Sequence, residues 1–198
     1  MSGYDKKDTR KNGTLLPVYA GLFAALVYVA SAFVNIRMPN GGCINLGDGF
    51  VLLSGLFLGP IYGTAAAAVG SLLCDLLAGY TMYAPGTAVI KGTMVLLLLL
   101  LLKAQRPLFQ KYRAVAIGIA AAICEVFMVL GYLFYELVVL KLGAGAVTGV
   151  LGNITQGVGG IVTVLAVSTT LLPAISKSGL FAPYVDRRFA RTTGAEKH

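Results

Sequence analysis

Six apolar runs, separated by connections that are basic or rich in glycine and proline, govern what this chain can become. They cover about residues 15–36, 46–59, 61–79, 86–103, 114–140 and 147–172. Most reach or approach the roughly 20 residues that a helix needs to cross a bilayer. Inside lipid the backbone can bond only to itself, and in runs of this kind that means helix. With 57% hydrophobic and 12% charged residues and a mean hydropathy of +0.80, the chain lies far from a soluble profile. The expectation is an all-α integral membrane bundle of six transmembrane helices in the plasma membrane. A polar lead (1–14) would precede the six-helix membrane domain (15–172), and a polar tail (173–198) would follow it. No small-residue cleavage site follows the first run, so it is expected to be retained as a helix rather than removed as a signal peptide.

The basic residues give the orientation. Lys6, Lys7, Arg10 and Lys11 lie in the lead, Lys103, Arg106, Lys111 and Arg113 join runs four and five, and Lys177, Arg187, Arg188, Arg191 and Lys197 lie in the tail. The 1–2 connection has only Arg37 and the 5–6 connection only Lys141. Under the positive-inside rule both termini are cytoplasmic, and the 1–2, 3–4 and 5–6 connections face outward. The same distribution accounts for the net charge of +8. Lipid, not nucleic acid, is therefore the expected partner of these charges.

Several chemistries are unsupported. Cys43, Cys74 and Cys124 are widely spaced, and the one histidine is the terminal His198. Neither a disulfide framework nor a metal site is implied, and no cofactor is expected. There is no phosphate-binding Gly-x-x-x-x-Gly-Lys-Ser/Thr loop, so the chain lacks the usual means of hydrolysing ATP. Without a catalytic histidine or a convincing nucleophile and base, it reads as a non-enzyme.

What is left to explain is charge inside apolar sequence. Asp75 and Lys91 flank a turn-rich break that carries Tyr80 and Tyr83. Counted from the helix ends, both charges lie roughly 7–8 Å below the outer surface. Pairing with each other would lower the burial cost of both, and ligand contact is the other role open to them. In run five, Glu125, Tyr132 and Glu136 are spaced 7 and 4 apart, one polar stripe, with Glu125 near the bilayer middle. In run six, Asn153 and Gln156 share a face. Asp48, in the first turn of the second helix, can cap it, answer its dipole or touch substrate. The outer halves of helices 3 to 6 thus supply acids, a base, amides and phenols at overlapping depths, which predicts an outward-facing pocket for a small planar polar ligand. The opposite halves are leucine, valine and alanine, which argues against a channel. In run one, Ala20, Gly21, Ala24 and Ala25 form overlapping small-residue pairs suited to close helix approach.

Three motifs now give a resemblance. Ile44-Asn-Leu-Gly-Asp48, the segment Asp75-x-x-x-Gly-Tyr-x-x-Tyr-Ala-Pro-x-Thr-x-x-Ile-Lys91-Gly, and Glu125 to Glu136 followed by Asn153-x-x-Gln156 together resemble the substrate-binding S component of an energy-coupling factor (ECF) vitamin transporter. The branch it looks most like is the riboflavin or hydroxymethylpyrimidine type. The resemblance implies a subunit that binds a vitamin or precursor, such as a pyridoxine-, pyrimidine- or flavin-like compound, near the outer face. It also implies docking to an ECF transmembrane coupling subunit served by two ATPase subunits. The family's Ala-x-x-x-Ala coupling motif maps onto Ala20 and Ala24. The alternative reading is a stand-alone proton-coupled secondary transporter that uses Glu125.

Overall fold

A computed structural model describes the backbone of residues 4–33, 35–37, 43–178 and 183–189, with the side chains of 15–33, 46–175, 183–186, 188 and 189. The Cys43 and Arg37 side chains, Lys197 and His198 lie outside the described residues.

Helix α1 spans Tyr4–Phe33 and so runs through most of the polar lead instead of starting near Leu15. Two three-residue strands follow, β1 (Asn35–Arg37) and β2 (Cys43–Asn45), paired antiparallel with Ile36 opposite Ile44. Next come α2 (Gly47–Leu58), α3 (Pro60–Leu77) and α4 (Ala84–Ala104). A short α5 (Arg106–Lys111) lies in the basic connection. Helix α6 (Arg113–Phe134) ends in a widened π-helical turn, Tyr135–Val139, in which the Leu140 amide donates to the Tyr135 carbonyl at 3.0 Å. Helix α7 covers Gly145–Ser178, and α8 (Tyr184–Phe189) belongs to the tail.

Among the described residues, five stretches are long and apolar enough to cross a membrane: Leu15–Phe33, Pro60–Leu77, Ala84–Ala104, Arg113–Val139 and Gly145–Ile175. The second apolar run differs from the expected span. Its helix has 12 residues, about 18 Å at 1.5 Å per residue, against roughly 30 Å of hydrocarbon. The β1–β2 hairpin stops it on one side and Gly59-Pro60 on the other. Gly59 has φ +85°, and a Cβ there would lie 2.5 Å from the Tyr184 ring, so no other residue fits.

Short as it is, α2 forms the centre of the molecule. Eleven of its twelve residues are buried, and it packs against α1, α3, α4 and α7. An element apolar on all sides but for Asp48 and Ser54, and enclosed by four others, is a core helix. Around it α3 lies along α4 and α1, and α6 along α7. Toward the α4–α5 end, Met94, Val95, Leu98, Leu99 and Leu102 fill the interior. There Arg113 pairs with Asp186, and Phe109 meets Phe189 edge-on at 6.0 Å, which ties α8 to α5 and α6.

Candidate binding site

Between α3, α4, α6 and α7, at the end of the bundle that carries the α3–α4 and α6–α7 connections, lies a cavity of about 390 Å³. That is within the usual range for a small-molecule site. Seven of the nine residues expected to bind substrate line it: Asp75, Tyr80 and Tyr83 from α3 and its following turn, Tyr132 and Glu136 from α6 and its π turn, and Asn153 and Gln156 from α7. Helical periodicity explains their convergence, since residues seven and four apart on α6 share a face. Thr87 and Thr148 also line the cavity, as do Gly145, Gly149 and Gly152 on the α7 side.

Hydrogen bonds hold the walls. Tyr132 Oη donates to Thr87 Oγ1 at 3.0 Å, and Thr87 is hydrogen-bonded to Asp75. Tyr83 Oη donates to Glu136 Oε1 at 3.3 Å, and its ring meets Tyr80 edge-on at 6.3 Å. Burial, and after it the Glu136 charge, raises the Tyr83 phenol above its ordinary value, so Tyr83 remains a donor at neutral pH. Tyr135 Oη donates to the Met82 carbonyl at 2.8 Å, fastening the tyrosine turn to α6.

Lys91 and Glu125 are elsewhere. The expected Asp75–Lys91 pair does not form: Lys91 is 3% exposed and its ammonium pairs with Asp48. Gln156 Nε2 donates to the other Asp48 oxygen at 2.8 Å. Asp48 does not cap α2, whose N-cap position is Leu46, and its carboxylate is turned to these two partners. Glu125, 4% exposed, lies against this group in a notch made by Gly157 and Gly160. A Cβ on Gly160 would come within 2.6 Å of Glu125 Oε1 and 2.8 Å of Asp48 Cβ. The site therefore has two layers, an accessible cavity and a sealed polar cluster, with Gln156 in contact with both. The physical reason for the misassigned pair is that two acids compete for one base, and Asp48, enclosed on the core helix, has more burial cost to relieve.

A model of the ECF-type riboflavin transporter S component matches residues 11–175, which include every residue of both layers. The chain belongs to that family. It is also similar to a Pyrococcus woesei protein described as an uncharacterized protein in the gap 3' region, with 34% identity over 137 residues, 69% of this chain and 87% of that one.

An ECF S component is an integral plasma-membrane protein and the substrate-binding subunit of a transporter rather than a member of an enzyme class. Of the S-component features expected in α1, Ala20 and Ala24 are half-buried and pack on the core. A Cβ on Gly70 of α3 would lie 2.5 Å from the Ala24 carbonyl, so part of this small-residue stripe serves contact within the chain. Gly21 and Ala25 beside it are exposed, with nothing within 4 Å of a Cβ at Gly21. Thr87 was legible but overlooked: it lies one helical turn before Lys91, between the tyrosine turn and that base. The α7 glycines carried no sequence signal beyond small size.

Proposed function

We propose that this chain captures a vitamin or vitamin precursor, a planar heteroaromatic compound, at the outer face of the membrane. It then passes the compound to an ECF transmembrane coupling subunit driven by two ATPase subunits. The cavity carries this reading: about 390 Å³, walled by phenols, amides and two acids, at the end opposite the exposed basic residues Lys103, Arg106 and Lys111. Placing those bases inside gives cytoplasmic termini and an outward-facing cavity, with α2 as a sixth, incomplete crossing. Substrate-binding roles are proposed for Asp75, Tyr80, Tyr83, Tyr132, Glu136, Asn153 and Gln156, and an organising role for Lys91 and Glu125 beneath them. A proton-coupled carrier is disfavoured because Glu125, on which it would turn, is shut away from the cavity.

The proposed coupling face is the α1 stripe around Ala20 and Ala24, with Gly21 and Ala25 on its open side. Vitamin uptake by cells with and without the coupling and ATPase subunits tests the whole reading, and equal active uptake in both overturns it. Gly21→Trp, placed where there is room for the ring, is expected to leave ligand binding intact and abolish uptake.

A further inference from the structure

The cavity is one-sided in charge. Its charged lining residues are Asp75 and Glu136, and among the described residues no lysine, arginine or histidine lines it. The base nearest in sequence, Lys91, is buried against Asp48, with its charge already answered. A ligand entering this space meets an excess of carboxyl groups in surroundings of low dielectric, where such an imbalance acts strongly.

Glu136 sharpens the point. It is 7% exposed, its Oε1 has one donor in Tyr83, and among the described residues its Oε2 has none. A buried carboxylate with one long hydrogen bond is under-satisfied, because its oxygens accept several. Across from it α7 presents Gly149, where a Cβ would lie 3.4 Å from both Glu136 oxygens. The missing side chain leaves space beside the carboxylate. On the α3 side Asp75 likewise has one oxygen, Oδ2, without a partner among the described residues. Tyr80 and Tyr83 add phenol rings, whose faces attract cations, whereas the Tyr132 ring already has the Lys91 ammonium over it, 5.4 Å from its centroid.

We infer that the cavity selects a heteroaromatic ligand carrying a positive charge, a protonated amine seated between Glu136 and Asp75, and rejects compounds bearing phosphate or carboxylate. This rests on the substrate-capture reading and narrows its ligand class. Asn153 and Gln156 then serve the uncharged ring edge, since an amide both donates and accepts.

Titration calorimetry of the purified full chain, stripped of retained ligand, tests this at neutral pH. The probes are pyridoxamine, pyridoxine and pyridoxamine phosphate, then an aminomethylpyrimidine with its hydroxymethyl counterpart, then riboflavin with flavin mononucleotide. One amine is expected to bind about tenfold or more tighter than its alcohol counterpart, with both phosphates unbound. Glu136→Gln should weaken that amine by roughly 30-fold and the alcohol by less than about threefold. Asp75→Asn is the second variant should the first fail to fold. Riboflavin or an alcohol binding more tightly than every amine, a tolerated phosphate, or equal losses for amine and alcohol overturns the charge inference and leaves substrate capture standing. No binding of any probe by folded protein overturns both.

Discussion

Four acids lie within the apolar body of this molecule, and they divide into two pairs with opposite circumstances. Asp48 and Glu125 sit in the sealed layer with Lys91 and Gln156, and Gly157 and Gly160 bring α7 hard against them. Asp75 and Glu136 line an open cavity, have hydroxyl donors and no base, and face α7 where Gly145, Gly149 and Gly152 leave room. The difference teaches that a charge in a membrane helix does not by itself mark a ligand site. Access and free space separate a group shut between helices from one that faces a cavity, whereas hydrogen bonding alone does not, since both Glu125 oxygens lack a partner among the described residues.

The largest expected effect comes from removing the base of the sealed layer. Lys91→Met leaves Asp48 buried without its counter-charge, and thermal melting in detergent should show a loss of about 3–5 kcal/mol, or no folded protein. Asp75→Asn should shift the melt by less than about 1 kcal/mol, so equal losses in the two variants would erase the distinction between the layers.

Glycines give the next test. Gly160→Ala puts a methyl group into the Glu125 and Asp48 contacts and should cost about 1–3 kcal/mol of stability. Gly149→Ala makes only tight van der Waals contact with Glu136 and should change ligand affinity more than melting. A smaller effect is expected at Asn153→Ala, a loss of about 1 kcal/mol in ligand affinity by calorimetry with the melt unmoved. Smallest is Arg113→Ala, remote from both layers and partly exposed, within about 1 kcal/mol on melting.

Much of this was legible in the sequence. Apolar runs announced the helices, and the spacing of Tyr132 and Glu136, or of Asn153 and Gln156, told which groups share a face. Depth then brought them to one end of the bundle. The partner of Lys91 was not legible, because depth allowed Asp75 as readily as Asp48. The choice depends on where α2 sits, and a helix apolar on nearly all sides carries no periodic signal of its neighbours. The shortness of α2 was legible, since its apolar run of about residues 46–59 ends at Pro60 and the helix covers Gly47–Leu58. The helical course of residues 4–14 has no apolar pattern to announce it, but a helix already begun at Leu15 extends backward one residue at a time without a new nucleation cost.

Gln156 lines the cavity and also gives its amide proton to Asp48 at 2.8 Å. A ligand that turns this amide toward itself weakens its bond to Asp48, and so alters the electrostatic setting of Lys91 and the central helix. Occupancy of the cavity and the state of α2 are then thermodynamically linked, and linkage is reciprocal. Whatever displaces α2 by acting elsewhere on the bundle changes ligand affinity by the same factor that the ligand changes the ease of that displacement. One side chain thus supplies a route by which an event at a distant surface can loosen the ligand's hold.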